Sequence, residues 1–412
     1  MFNLVEKLKN KPVDNSIKQD ESSVVCFYKT DSCKSLIEEV CVFENLGTPI
    51  TLNNSQLEIE SFCAKDNYDV KAIVLEYELG TDIIREVENV ISLFPNKVPV
   101  IVIGSEDSIS TLRRLKEMVV YYVFWPITKL ELAEFLGHVI KNNQQGKGLG
   151  KARSAKKIAV VGSKGGVGTT LITSSLACIL VKAHHVSTLV VDHDFYHTAF
   201  DLNFGLENFE KKSLLKSDIA KFEDNLSITN LQTKVSSKLS LLSVKSNELK
   251  ESDILEHLRM SIDSIGDSLN FVLEDISYAS QQRKIVFDDP AYFDAFVLVA
   301  EPSVISIRET LRAIDHLNDK GFTGKVFVIV CYRCQEKFAS LNQREIENAL
   351  QSNQYVTLDF IPKIEQIIIN KRLPESLPGA LNRPLGELVK NLIGKQNGNF
   401  KNPLYHRILK RQ

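Results

Sequence analysis

The sequence predicts an α/β protein built on two doubly wound parallel sheets. Short apolar runs alternate with stretches of helical spacing along most of its 412 residues. Buried strands separated by amphipathic helices form parallel sheets with right-handed crossovers. One run, Lys157-Ile158-Ala159-Val160-Val161-Gly162, enters the glycine-rich turn Ser163-Lys164-Gly165-Gly166-Val167-Gly168, and Leu171 to Val181 then reads as a helix. Two further runs end in aspartates, Asp192 and Asp194 in one and Asp288 in the other. Acids at strand ends suit the carboxyl edge of an open sheet, where such folds bind ligands.

The length fits about two to three domains. Hydrophobic residues make up 43% and charged residues 25% of the chain, which is ordinary for a globular protein. A net charge of −2 gives no global field, so contact with nucleic acid or anionic membrane would need a local basic patch. Met1 to Asp20 is polar and charged, without the apolar centre of a signal peptide. No apolar run reaches the roughly 18 residues that span a bilayer. Seven scattered cysteines suit a reducing cytosol. Cys331-x-x-Cys334 is the one tight pair. With no second pair it reads as a buried strand-end thiol and an incidental neighbour.

Residues 1–20 read as a flexible lead-in. In residues 21–140, strands are expected at Val24–Tyr28, Val70–Leu75, Val98–Ile103 and Val119–Phe124. Helices are expected at Lys34–Phe43, Thr81–Phe94, Ile109–Met118 and Lys129–Lys141. This order resembles a response-regulator receiver domain. The resemblance implies an acidic pair after the first strand, a phosphoryl-accepting Asp at the end of the third, and a Lys before a Pro after the fifth. The matching positions here are Tyr28-Lys29, Glu76, and Trp125 before Pro126. The expectation is an atypical receiver that makes protein contacts and is not phosphorylated; a generic flavodoxin-like domain is the alternative. Trp125 is either core packing or a contact anchor.

Residues 141–156 read as a basic, flexible linker. Lys141, Lys147, Lys151, Arg153 and Lys156, with the adjoining Lys157, are interrupted by no acid, and Gly146, Gly148 and Gly150 loosen the chain. It is a solvated tether, or a salt-sensitive site for acidic lipid or DNA.

Residues 157–396 hold the phosphate-binding turn. Glycines there let backbone N–H groups close on phosphate oxygens, and the helix start adds positive potential. The ordinary G-x-x-x-x-G-K-[ST] loop is altered twice: Ser163 holds the first glycine position and Thr169 the lysine position. A strand-end Asp beside such a loop holds Mg²⁺, partly through water, together with a loop hydroxyl. Here Asp192 and Asp288 are the acids and Thr170 the hydroxyl, while Asp194 is placed to orient an attacking water. His193 and His197 could form an i, i+4 metal pair on a helix; otherwise they are solvent or switch-loop histidines.

Together these pieces resemble the deviant Walker A ATPases of the ParA/MinD group, whose loop is K-G-G-x-G-K-[ST]-[ST]. The chain keeps Lys164-Gly165-Gly166-Val167-Gly168, has Thr169 for the second Lys, keeps Thr170 and ends with Leu171. The group's D-x-D strand appears as Asp192-His193-Asp194, and its D-x-P switch strand as Asp288-Asp289-Pro290. The resemblance implies that residues 164–171 and Arg333 contact ATP or ADP with Mg²⁺, and that Lys164 reaches the partner's phosphates in a nucleotide-sandwich homodimer. Cys331-Tyr332-Arg333 stands where the group has Asn-Arg, so the asparagine that reads adenine is missing. Later segments follow the group: Ser240–Ser243, Phe296–Ser303 with a helix from Val304 to Leu317, Lys325–Val330, Val356–Ile361, and a closing helix Leu381–Ile393.

A receiver-like domain before such an ATPase resembles the CpaE/TadZ proteins of bacterial Tad (Flp) pilus systems. The resemblance implies a cytoplasmic assembly and localisation factor, peripheral at the inner membrane or cell pole. Its partners would be secretion components such as the secretion ATPase or polar proteins, with no specific nucleic acid. With Thr169 for lysine, slow or absent hydrolysis is expected. The alternatives are a ParA-like ATPase that segregates DNA or cargo, a working response regulator, and a scaffold that binds no nucleotide. The basic tail, residues 397–412, holds Lys401, Arg407, Lys410 and Arg411 with interleaved Leu404, Tyr405, Ile408 and Leu409. It is a marginal candidate for a membrane-surface helix.

Overall fold

A computed structural model describes residues 23–65, 69–145, 153–216, 230–276, 282–351, 354–371, 373 and 376–394. The expected lead-in, residues 146–152 of the linker, and the basic tail lie outside them.

The first domain alternates β1 (Ser23–Tyr28), α1 (Asp31–Phe43), β2 (Ile50–Asn53), α2 (Gln56–Cys63), β3 (Val70–Glu76), α3 (Ile83–Val90), β4 (Val100–Gly104), α4 (Ile109–Glu117), β5 (Val120–Phe124) and α5 (Lys129–Gln144). Its five strands are parallel in the order β2-β1-β3-β4-β5, the flavodoxin-like doubly wound order. Local sequence sets the helix limits. The Thr30 hydroxyl caps α1, and Thr128 with Glu131 forms a capping box at α5. Ile83, Val87 and Val90 give α3 one buried stripe.

The second domain contains β6 (Lys156–Gly162), α6 (Thr169–His184), β7 (Thr188–Asp192), β8 (Lys212–Ser213), β9 (Gln232–Lys234), β10 (Leu239–Lys245), β11 (Phe271–Ile276), β12 (Ala295–Ala300), β13 (Lys325–Cys331) and β14 (Gln354–Leu358). The sheet order is β14-β13-β12-β6-β11-β7-β10-β8. All pairings along it are parallel, and β9 adds to β10 antiparallel. The loop-bearing β6 is central, flanked by β11 and β12. Helix α6 is buried from Ile172 to Leu180, between the sheet and the closing helix Gly379–Ile393. Its buried hydroxyls Ser174 and Ser175 each donate to the carbonyl four residues back, and Thr173 shares its one proton between Thr169 O and an acid of β11, so no polar group is stranded there.

The linker expectation needs correction. Residues 141–144 continue α5, and Arg153 is a buried clamp, not a cation on a tether. Its guanidinium donates to Ile91 O at 2.9 Å, Pro95 O at 2.7 Å and Val98 O at 2.8 Å. Asn270 works beside it, donating to Ser92 O at 3.1 Å and Phe94 O at 2.9 Å while accepting from Ser187 N at 3.0 Å. The Ser92 hydroxyl donates to Ile393 O at 2.7 Å. Gly394 turns with φ 115°, where a Cβ would strike Glu88 O. Lys156 donates to Leu392 O and Ile393 O, both at 3.3 Å, at the negative end of the closing helix. Lys157 pairs with Asp263 and lies 3.8 Å from the centre of the Tyr292 ring. Arg153, Lys156 and Asn270 sit where β6 and β11 begin, and Arg153 and Asn270 bond the turn ahead of β4, so the two sheets meet amino edge to amino edge.

Two outcomes are expected at this junction. Arg153→Ala leaves three carbonyls without their donor and should cost on the order of 3 kcal/mol in urea unfolding. Burial first, and then the Lys325 ammonium, hold the Lys156 ammonium down at about 8. Between there and its ordinary 10.5 the unfolded chain binds the extra proton. This contribution therefore stabilises the fold above pH 10.5 and is lost as pH falls through 8. Relative to Lys156→Met, wild-type stability should rise between pH 8 and 10.5, by no more than about 3 kcal/mol.

Candidate nucleotide site

The phosphate loop follows β6 at the carboxyl edge of the second sheet. Gly166 and Gly168 adopt φ 76° and 98°, conformations that require glycine. A Cβ at Gly165, Gly166 or Gly168 would meet nothing within 4 Å, so the loop's outer side is open to an approaching anion. Its inner side is fastened. Ser163 N donates to Val299 O at 2.8 Å. The Ser163 and Ser306 hydroxyls are 2.6 Å apart, and Ser306 Oγ accepts from Glu301 N at 2.9 Å. Lys164 Nζ sits 2.5 Å from Glu301 Oε1. Arg333 donates to Gly166 O, so the structure brings it to the loop. Leu171 is partly buried against the core. The Thr169 hydroxyl turns under the loop, 2.6 Å from a Cβ position built on Gly162.

The acid beside Thr170 is Asp275, not Asp288. Thr170 Oγ1 donates to Asp275 Oδ2 at 2.8 Å, and Thr173 Oγ1 to Asp275 Oδ1 at 3.0 Å. Burial pushes the Asp275 carboxyl up to about 7 against those two hydrogen bonds, and the charge of Asp192 adds to the rise. Asp288 ends a helix, Gln282–Asp288, and its exposed carboxylate lies 4.0 Å from His316 Nε2 and 3.7 Å from Lys320 Nζ. The run Ile285-Val286-Phe287 is apolar because Val286 and Phe287 pack under the helix Val304–Asp319, not because it forms a strand. The strand in this role, β11, carries Glu274 and Asp275 in its interior, which made it look polar. Phe271-Val272-Leu273 ahead of them was the available signal.

Asp192 and Asp194 stand at the end of β7, but both are engaged. Asp192 Oδ2 accepts from Lys211 Nζ and from Ser243 Oγ, each at 2.8 Å, and Oδ1 accepts from Asp194 N at 3.0 Å. Lys211 also donates to Asp194 O. Asp194 Oδ1 closes the following turn, accepting from Tyr196 N at 3.0 Å and His197 N at 2.8 Å. Lys211, only 7% exposed at its side chain, was not singled out from sequence. His193 is neither solvated nor half of a metal pair. It is fully buried with Nε2 2.8 Å from Glu274 Oε2, while His197 is exposed off any helix. Among the described residues no group of three His, Cys, Asp or Glu could hold a metal ion.

The residues fit a magnesium nucleotide at one place. Thr170 offers a hydroxyl and Asp275 a buried carboxylate whose ionised form lacks a full counter-charge, both at the start of α6. In the first domain, Glu76 is folded onto the β1–α1 turn. It accepts from Lys29 N at 2.5 Å, Thr30 N at 2.8 Å and Thr30 Oγ1 at 2.6 Å. Trp125 is half-buried against the core between α1 and α5. Among the described residues no helix is long and apolar enough to cross a membrane.

No family model matches the chain, and no curated protein matches it. Solved structures similar to it include a MinC:MinD cell division protein complex from Aquifex aeolicus, at 20% identity and TM-score 0.46, covering 60% of this chain and 99% of that one. A ParA family ATPase from Chlorobium tepidum matches at 17% identity and TM-score 0.45, covering 58% and 99%. MinD complexed with Mg-ADP from Pyrococcus horikoshii matches at 17% identity and TM-score 0.45, covering 58% and 96%.

The exchange of Asp288 for Asp275 is directly measurable. Asp275→Asn should weaken Mg-ADP binding by roughly tenfold or more and remove its magnesium dependence. Asp288→Asn should leave both unchanged in the same calorimetric titrations.

Proposed function

We propose that the second domain binds ATP or ADP with Mg²⁺, dimerises on nucleotide, and hydrolyses it slowly or not at all. The observation that carries this reading is Thr169 at the lysine position of a loop whose other parts are assembled: the open glycine turn, the Thr170 hydroxyl and the buried Asp275. Thr170 and Asp275 would hold the metal, which when bound offsets phosphate charge. The engagement of Asp192 by Lys211 and Ser243, and of Asp194 by its own turn, supports binding over turnover. Both acids expected to order magnesium and water are tied to protein donors. Lys164, paired with Glu301 in one copy, exchanges that carboxylate for the partner's phosphates in the dimer.

Glu76 supports a contact role for the first domain. Three donors immobilise it, and Tyr28-Lys29 and Trp125 stand at the positions where a receiver's acidic pair and phosphoryl-stabilising lysine are expected. The chain is then a nucleotide-dependent assembly and localisation factor. The CpaE/TadZ resemblance of the sequence supports work in a Tad (Flp) pilus secretion system, with the first domain receiving the secretion ATPase or polar proteins at the cytoplasmic face of the membrane.

Nucleotide titration with native mass measurement tests the reading. The wild-type chain should bind ADP as a monomer and dimerise with Mg-ATP, with little phosphate released. Lys164→Ala should still bind nucleotide but remain monomeric. Fast, dimer-dependent turnover, or no adenine-nucleotide binding, would overturn the proposal.

A further inference from the structure

We propose that Glu301 is a latch on Lys164: its carboxylate holds the lysine to its own copy and so sets how readily the chain pairs on nucleotide. The inference rests on the nucleotide-dependent dimer proposed above and adds to it a restraint built into the single copy. Glu301 follows β12, the hydrogen-bonded neighbour of β6. It opens the turn Glu301-Pro302-Ser303 that leads into the helix Val304–Asp319. Its main chain is fixed on both sides. Glu301 N donates to Ser306 Oγ at 2.9 Å, and Glu301 O accepts from Ser303 N at 2.7 Å. The next carbonyl, Pro302 O, accepts from Leu341 N at 3.2 Å.

The loop is stitched to this turn one residue before Lys164. Ser163 N donates to Val299 O, and the buried Ser163 hydroxyl lies 2.6 Å from the buried hydroxyl of Ser306. A glycine at position 163, as in the ordinary loop, would have no hydroxyl to bring there. Ser306 Oγ therefore touches both segments, and Lys164 and Glu301 extend the seam with an ion pair of 2.5 Å. The lysine that the dimer needs is thus held by a carboxylate whose own backbone is fixed. Side-chain exposure is 37% for Lys164 and 20% for Glu301. Water screens a pair of that kind, so each latch is worth roughly 2- to 5-fold in an equilibrium constant. A two-fold pair of copies has to open two of them. Independent contributions multiply, so the dimerisation constant carries the square, roughly 4- to 25-fold.

The test is the dimerisation constant of the full chain in saturating Mg-ATP, measured by analytical ultracentrifugation. Glu301→Gln keeps the size of the side chain and removes its charge, and should tighten the dimer roughly 4- to 25-fold. Glu301→Ala should do the same, which keeps the test decisive where one variant folds poorly. Neither change should act without its target: Lys164→Ala combined with Glu301→Gln should stay monomeric, like Lys164→Ala alone. An unchanged or weaker dimer in a Glu301 variant that melts like wild type would overturn the inference. A dimer formed by the double variant would overturn it too, because the charge at position 301 would then be acting on something other than Lys164. If wild type and both single variants bind Mg-ATP but stay monomeric at every concentration, the dimer reading fails and this inference with it. A wild-type dimer that matches Glu301→Gln defeats only the latch.

Discussion

The buried carboxylate of Asp275 sets the geometry of everything around the loop. A charge at that depth is costly unless it is hydrogen-bonded, and its two donors, Thr170 and Thr173, are one turn apart on α6. The pair of bonds therefore fixes both the rotation of α6 and its height above β11, and with them the shape of the turn joining β6 to α6. The residue before it, Glu274, points to the other face of the sheet by the two-residue period of a strand. There it meets His193. One strand end thus presents an acid to each side, and each acid has its own partner. Asp192, opposite Asp275 in β7, makes the same edge more negative still, and Lys211 answers it.

The junction explains how two altered sites can share one chain without touching. Arg153 and Asn270 lock the starts of β6 and β11 to the turn ahead of β4, while Ser92 and Lys156 fasten the end of the closing helix beside them. The carboxyl edges, with Glu76 and Trp125 on one domain and the phosphate loop on the other, consequently face away from each other. Under the proposed reading, a partner seated on the far edge of the first domain would meet no nucleotide. Any coupling between the two ends must pass along the strands, and β6 is the most direct of them. It begins at the half-buried Lys156 of the junction and ends at Gly162 of the loop.

How much of this could be read from sequence follows from burial. Strands covered on both faces are continuous apolar runs, so Val70–Leu75, Phe296–Ala300 and Val326–Val330 were legible almost to the residue. β2 was not, because Ile50 to Asn53 is a short edge strand with half-exposed side chains, and α2 disappeared with it. β11 was hidden for the opposite reason: its two interior acids break the apolar run. The apolar stretch before Asp288, by contrast, imitates a strand, since three apolar residues fit a helix and a strand equally well. The linker misled in a similar way. Charge composition described Arg153 and Lys156 as solvated, whereas each is held at the domain junction by carbonyls that no local pattern could reveal. The glycines, Lys164, Thr169, Thr170 and Arg333 were legible because a phosphate loop is local in sequence. The Asp275 and Lys211 contacts were not, because each joins segments brought together only by the sheet order.

The distribution of charge around the loop also bears on the proposed separation of binding from turnover. Backbone N–H groups of the glycine turn grip phosphate oxygens in the ground state and in the transition state alike. Interactions of that kind lower the free energy of both and leave the barrier between them unchanged. A cation aimed at the transferring phosphoryl group acts differently, because negative charge builds on that group as the bond breaks. Thr169 removes such a cation from the loop, Glu301 restrains Lys164 in the single copy, and Lys211 is turned to Asp192. What remains on the loop is mostly uniform binding. Under the proposed reading, a chain arranged in this way would hold its nucleotide as a structural part of its complex.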